Sequence, residues 1–149
     1  MNALFNPVQR QSLAESRLRK HADYVHAYAN GRKRQSASMS WFLAPQAEDR
    51  VRPGAGSAAR VGLTVGKVIG KAHERNRIKR RMREVLRRHV DLLPEDFDLV
   101  FHPRRQVLDI DFPQLEAEVV RILRQARSEA ARVISPSAPA GQPAPRSAP

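Results

Sequence analysis

The chain has 149 residues and a strong positive charge, with 27 Lys and Arg against 15 Asp and Glu and a formal net charge of +12. This length allows one domain with appendages and a modest core. The absence of cysteine excludes a disulfide framework, and neither a membrane span nor the apolar centre of a signal peptide is visible. We therefore expect a soluble, cytoplasmic protein with a polyanionic partner.

The N-terminal part predicts a flexible arm followed by a helix. Residues 1–15 show little periodicity, whereas Ser16–Asn30 has the pattern of a helix that ends at Gly31 in the left-handed conformation. Tyr24 and Tyr28 lie one turn apart on this helix. They fit either the edge of a core or, beside so much positive charge, a surface that stacks on unpaired bases.

Two strands separated by a loop are expected next. Gln35–Leu43 alternates serine with apolar residues and predicts one half-buried strand. Phe42 falls on the serine side, where it either caps the core or lies beside a ligand. Residues 44–59 contain Pro and Gly and predict a long mobile loop, and Arg60–Lys67 predicts a second strand. Gly66 and Gly70, at and after its end, are too closely spaced for a phosphate-binding loop. Ala72 also stands where such a loop needs Ser or Thr.

The stretch Lys67–His89 is the most basic part of the chain and predicts an amphipathic helix. At about 100° per residue its apolar side chains form one narrow arc that should pack on a core, too narrow for a membrane-surface helix. Oppositely charged residues at helical spacing are scarce, so a solvated face would repel itself and contact with nucleic acid is favoured. The arc holds Ile78, Met82, Val85 and Leu86; one flank holds Asn76, Lys79, Arg80, Arg83 and Arg87; the other holds Arg77, Arg81 and Arg88.

The remainder of the chain predicts a strand, a helix and a tail. Phe97–His102 has a strand pattern closed by proline. A final helix should begin near Asp111, with the apolar stripe Leu115, Val119, Ile122, Leu123 and Ala126. Ser135–Pro149 is rich in Pro, Ala and Ser and predicts a disordered tail.

No constellation of catalytic or metal-ligating residues stands out. The five histidines are scattered, and the nearest paired carboxylates are Asp96 with Asp98 and Asp109 with Asp111. We interpret both pairs as turn and cap residues. The chain is thus expected to bind rather than to catalyse, with any reaction centre supplied by another molecule.

The segment Arg60–Arg83 closely resembles the signature of the bacterial ribonuclease P protein subunit. Arg75, Asn76 and Arg77 match the Arg-Asn-Arg core of that signature. Softer similarities occur at Tyr24, Tyr28, Gly31, Phe42, Pro103 and Arg104, so the resemblance spans residues 18–126. It implies an α+β fold, an α/β sandwich of the ribosomal-protein-like type, with a small mixed central sheet and packed helices. It also implies a left-handed crossover between two parallel strands, against the usual preference.

The resemblance further implies a role in an RNA enzyme. The RNA subunit would carry the catalytic Mg²⁺ and remove the 5′ leader of precursor tRNA, while residues 16–134 bind RNA without an obligate protein partner or a membrane. It implies a leader-binding site of Tyr24, Tyr28, Phe42, Asn76, Lys79, Arg80 and Arg83, and RNA-subunit contacts at Lys67, Lys71, Arg75, Arg77 and Arg81.

Three other functions remain open at this point. A structural ribosomal or general RNA-binding protein would explain the charge but not the aromatic residues among the basic ones. A DNA-binding regulator would need a paired helix-turn-helix pattern that is not visible. A metal-dependent nuclease that acts alone has the least support.

Overall fold

A computed structural model describes residues 13–47 and 58–134. Its helices are α1 (His21–Asn30), α2 (Ala72–Arg88) and α3 (Phe112–Ile134), and its strands are β1 (Arg32–Gln35), β2 (Met39–Pro45), β3 (Arg60–Leu63) and β4 (Phe97–Pro103). Short 3₁₀ turns occupy Leu13–Ser16, Lys67–Ile69, Val90–Leu92 and Arg105–Leu108. The predicted tail and most of the predicted arm and loop lie outside the described residues.

The four strands form one mixed sheet in the order β1-β2-β4-β3. The pairs β1–β2 and β2–β4 are antiparallel, whereas β3 and β4 are parallel. Because parallel neighbours need a crossover, α2 connects β3 to β4. The predicted α+β fold with a small mixed sheet is confirmed, and the hand of the crossover stays a prediction.

One face of the sheet packs against α2 and α3 and forms the main core. Trp41 and Phe101 are its largest side chains from the sheet, and both are almost fully buried. The apolar arc of α2 and the apolar stripe of α3 are buried in the same core, so the helical spacing predicted both faces correctly. Burial of these side chains is the main source of stability.

The opposite face of the sheet is covered in part by α1, which contacts β2 and β4. A second, smaller core joins Leu18, Ala27, Ala44 and Val100 there, with Tyr24 and Phe42 packed against it. Beside this core the face carries partly exposed side chains of the strands and of the residues that flank them. This surface holds the candidate site described below.

The first helix is shorter than its pattern predicted. It begins at His21 rather than Ser16, because the preceding backbone runs beside β3: Arg17 bridges Val61, and the Leu18 N–H donates to the Val61 carbonyl at 2.8 Å. Leu13 is buried in the main core, so ordered structure starts within the predicted 1–15 arm. Gly31 is extended rather than left-handed, with φ −98° and ψ 164°.

The predicted strand Gln35–Leu43 is instead the hairpin β1–β2. Two of the serines that suggested a polar face, Ser36 and Ser38, lie in its turn, where the Ser36 hydroxyl and the Ser38 N–H both donate to the Glu118 carboxylate of α3. The third, Ser40, is buried within β2. These long-range bonds are invisible in local alternation. β2 also extends to Pro45 and so takes two residues from the predicted 44–59 loop, while β3 ends at Leu63, four residues earlier than predicted.

Gly31 is required by close packing rather than by its backbone angles. A Cβ atom there would lie 2.6 Å from the Ala27 carbonyl oxygen and 3.0 Å from that of Leu43. We expect Gly31→Ala to lower the free energy of unfolding by about 1–3 kcal/mol through overpacking. Gly66→Ala is the matched control, since a Cβ atom there would meet nothing within 4 Å apart from its neighbours in the chain. Equal denaturation midpoints for the two variants would contradict this explanation.

Candidate nucleic-acid interface

Four rings form an aromatic cluster on the α1 face of the sheet: Tyr24, Tyr28, Phe42 and His102. Tyr28 contacts Phe42 edge to face at a centroid distance of 5.1 Å, and His102 lies 5.5 Å from each of them. The Tyr28 hydroxyl shares hydrogen bonds with His102 Nε2 at 3.0 Å and Thr64 Oγ1 at 3.2 Å. Tyr28 nevertheless remains 37% exposed, so the cluster offers ring surface to a ligand.

The sheet register and one glycine determine where these rings lie. Phe42 pairs with Val100, which in turn pairs with Gly62, and side chains of paired residues share a face. A Cβ at Gly62 would lie 2.6 Å from the Tyr24 hydroxyl oxygen and 2.7 Å from the ring. The missing side chain thus lets Tyr24 lie against β3, 6.4 Å from the ring of Tyr28.

The cluster is uncharged near neutral pH. Burial lowers the pKa of His102, and the charge of Lys33 lowers it further, so the imidazole is neutral. Burial also raises the pKa of Tyr24, with a smaller contribution from Tyr28, so its phenol keeps its proton. An uncharged aromatic surface suits the faces of nucleic-acid bases, which stack on such rings.

A buried ion-pair network fixes α1 to the sheet. Arg60 of β3 binds both carboxylate oxygens of Asp98 in β4, at 2.9 and 2.8 Å, and reaches Asp23 of α1 at 2.9 Å. Asp98 is fully buried, so its interpretation as a turn or cap residue was wrong. Asp96, with a positive φ of 70°, does occupy a turn. The network thereby holds the helix that carries Tyr24 and Tyr28.

One flank of α2 reaches the aromatic cluster through Arg83. Arg83 lines a small cavity of about 40 Å³ together with Tyr24, Arg17 and Gly62. Helical spacing puts the other predicted leader-binding residues of α2 on the same side, one and two turns before Arg83. Within the described part of the chain, Asn76, Lys79, Arg80 and Arg83 make no side-chain hydrogen bond or ion pair. The amide of Asn76 and the charges of the other three are therefore available to a ligand.

The opposite flank of α2 is partly engaged inside the protein. Arg81 donates to the backbone carbonyls of Val107 at 2.5 Å and Ile110 at 2.6 Å. These bonds give Arg81 a structural role, and its predicted contact with an RNA subunit stays a prediction. Arg75 also donates to the Gly70 carbonyl through Nε, at 3.1 Å, which leaves part of its guanidinium available. Lys67, Lys71 and Arg77 are exposed.

The start of α2 is held by a second, exposed ion pair. Arg105 binds both carboxylate oxygens of Glu74, at 2.6 and 3.0 Å, and the Lys71 N–H donates to the same carboxylate at 2.9 Å. These hydrogen bonds, that of Arg105 first, lower the pKa of Glu74 to about 2. The contribution of this carboxylate to stability is therefore present above its ordinary pKa and is lost only as pH falls toward 2.

We expect Arg105→Gln to raise the pKa of Glu74 toward its ordinary value of 4.5, because the bidentate donor is removed. An NMR titration of the Glu74 carboxyl carbon measures this shift. Arg87→Gln is the control, since Arg87 pairs with Glu84 instead, with Nη2 2.7 Å from the carboxylate. A Glu74 pKa that stays near 2 in Arg105→Gln would show that the Lys71 amide alone depresses it.

Several residues of this surface escaped the sequence analysis. His102, Thr64 and Lys33 meet at the cluster only because of the strand register, and Arg17 reaches it only because its backbone follows β3. Arg60 was visible as a charge at the start of a strand, but nothing local indicated its partners. Within residues 13–47 and 58–134, no group of three or more His, Asp or Glu side chains could hold a metal ion, and no helix is long and apolar enough to cross a membrane.

Comparison with known proteins agrees with this basic α+β architecture. Residues 13–127 match the family model described as Ribonuclease P. The ribonuclease P protein component of Chloroflexus aggregans is 37% identical over 112 residues, which cover 74% of this chain and 77% of that protein. That of Dictyoglomus thermophilum is 35% identical over 114 residues, covering 75% of this chain and 88% of the relative.

Solved structures show the same fold. The ribonuclease P protein from Thermotoga maritima superposes with a TM-score of 0.60 at 26% identity and covers 73% of this chain and 96% of its own. The Staphylococcus aureus protein, at 23% identity, has a TM-score of 0.59 with 75% and 95% coverage, and supports the fold alone. The chain belongs to the ribonuclease P protein family, as the Arg60–Arg83 resemblance predicted.

Proposed function

We propose that this chain is the protein subunit of ribonuclease P, and that it binds the single-stranded 5′ leader of precursor tRNA across the aromatic cluster. The observation that carries this proposal is the exposed ring surface beside the unpaired cations of α2, in a member of this family. Rings can stack on unpaired bases while the cations bind phosphates, a combination that gives affinity with little sequence preference. The leader-binding residues are Tyr24, Tyr28, Phe42, Asn76, Lys79, Arg80 and Arg83.

The RNA subunit binds the start of α2 and the turn before it. Lys67, Lys71 and Arg77 are exposed there, and Arg75 keeps donors that its bond to Gly70 does not use. This surface lies on a different part of α2 from the leader-binding flank, so one helix contacts both RNAs. Neutralising phosphates with such cations releases counterions, and the affinity should therefore fall steeply with salt.

Cleavage of the leader belongs to the RNA subunit, with Mg²⁺ held mainly by that RNA and the substrate. The protein's contribution is to orient the leader relative to the cleavage site and to supply positive charge. Residues 16–134 act as the RNA-binding unit, with Leu13 added to its core. Its location is the cytoplasm, where bacterial precursor tRNA is made.

The test compares substrates with and without a leader. Dissociation constants for precursor tRNA and for mature tRNA are measured twice. The first set uses the RNA subunit alone, and the second uses the RNA subunit reconstituted with the chain. The chain should tighten binding of the precursor more than binding of mature tRNA. An equal gain for both would contradict the leader site and favour a general RNA-binding role; failure to associate with the RNA subunit would contradict the whole proposal.

A further inference from the structure

The aromatic cluster belongs to a row of residues that crosses the whole sheet. On the α1 face, Lys33 of β1 pairs with Phe42 of β2, Phe42 with Val100 of β4, and Val100 with Gly62 of β3. His102 lies two residues beyond Val100 and so on the same face. At about 4.8 Å per strand spacing, the row spans about 14 Å from β3 to β1.

Positive charge is available at both ends of this row. At the β3 end, Arg17 and Arg83 line the cavity beside Tyr24. At the β1 end stands Lys33, which is exposed and, within the described part of the chain, makes no hydrogen bond or ion pair. Between the two ends lie the uncharged rings. This is the arrangement expected for a strand whose bases stack in the middle and whose phosphates meet cations on both sides.

The other basic residues of β1 face away from the cluster. Side chains alternate along a strand, so Arg32 and Arg34 lie on the opposite face. Arg34 pairs there with Glu129 of α3 at 2.9 Å, and Arg32 lines a separate cavity with Leu43 and Glu129. Of the three consecutive cations in β1, Lys33 is therefore the one that shares a face with Phe42.

We propose that the bound single strand crosses the sheet from α2 to β1, and that Lys33 binds one of its backbone phosphates at the β1 end. This inference rests on the leader-binding function proposed above and adds a path and an end point to it. Lysine suits this role as a compact point charge that tolerates variable phosphate geometry. The charge of Lys33 also lowers the pKa of His102, which places the ammonium within electrostatic reach of the cluster.

A different role for Lys33 needs to be distinguished. Lysine on an edge strand can simply discourage pairing with another sheet, and β1 is an edge strand. In that role Lys33 would affect aggregation but not the binding of RNA. The test must therefore read out leader binding, and its control must remove an equal charge from the same strand.

The experiment measures dissociation constants of the chain reconstituted with its RNA subunit, using precursor tRNAs with leaders of increasing length. Lys33→Gln should weaken binding only once the leader is long enough to cross the sheet, and should leave mature tRNA unaffected. One phosphate contact on a single strand contributes about 0.7 to the slope of log affinity against log salt concentration. The ratio of the dissociation constants of Lys33→Gln and the parent chain should therefore shrink about 2.5-fold between 50 mM and 200 mM salt. Lys33→Arg should retain binding.

Arg32→Gln is the matched control, since it removes one charge from the neighbouring position on the opposite face. Equal defects in Arg32→Gln and Lys33→Gln, or a defect independent of leader length, would overturn the phosphate contact. If Phe42→Ala weakens leader binding and Lys33→Gln does not, the crossing path is wrong and the leader site stands. If neither variant weakens it, both the path and the leader site are contradicted.

Discussion

Replacing Asp98 with alanine should lower the free energy of unfolding by about 3–5 kcal/mol. The Asp98 carboxylate is fully buried and accepts two hydrogen bonds from Arg60. Its removal leaves a buried guanidinium with Asp23 as its remaining carboxylate partner. Since Asp23 belongs to α1, we also expect the helix that carries the tyrosines to loosen and leader binding to weaken with it.

Urea unfolding of three variants measures this effect. Asp91→Ala, at an exposed aspartate, is the control and should change stability by no more than about 0.5 kcal/mol. The double variant Arg60→Met with Asp98→Leu should be more stable than Asp98→Ala, because it removes both buried charges and fills their space. If Asp98→Ala lowers the free energy of unfolding by less than about 1 kcal/mol, water or Asp23 stabilises the charge of Arg60 in place of Asp98.

Replacing Phe42 with alanine should weaken binding of leader-bearing precursor tRNA by about 1–3 kcal/mol, the range for one stacked base. Binding of mature tRNA should change little, because it has no leader to stack. The Phe42 ring is part of the cluster and packs edge to face on Tyr28 at 5.1 Å. Its removal therefore takes away one stacking surface and the support of another.

Two control variants separate stacking from packing. Phe42→Tyr keeps an aromatic face and should retain the preference for the precursor. Phe112→Ala removes a ring at the start of α3, where it lies 4.9 Å from the Arg88 guanidinium carbon rather than in the cluster, and should not alter that preference. An equal loss for precursor and mature tRNA in Phe42→Ala would refute the assignment of leader binding to the aromatic cluster, provided that thermal unfolding shows the variant is folded.

Periodicity alone was enough to predict the long helices. The apolar side chains of α2 and α3 recur at helical spacing because each helix buries one face. Every residue predicted to be buried is buried, and α3 also buries Glu118 and Ala130, which were not predicted. The basic flanks of α2 follow from the same spacing. Helical spacing and position along the predicted strand also singled out Tyr24, Tyr28 and Phe42. The resemblance then supplied the mixed sheet and grouped these three rings into one predicted site.

Long-range contacts account for most of what the sequence did not show. The turn between β1 and β2 depends on Glu118, about 80 residues further along the chain. Asp98 looked like a turn residue because its partner Arg60 is remote in sequence. Lys33 and His102 join the site through the strand register, which pairs Lys33 with Phe42 and Phe42 with Val100. These pairings join separate segments of the chain, so local patterns could not place the two residues beside Phe42.

The most direct measurement is cleavage of precursor tRNA at near-physiological Mg²⁺ by the RNA subunit, with and without the purified chain. We expect cleavage at the mature 5′ end when both are present, and little or none with either alone. We also expect Phe42→Ala to lower this stimulation for leader-bearing substrate. Tight binding to the RNA subunit without any stimulation of cleavage would contradict the proposed function.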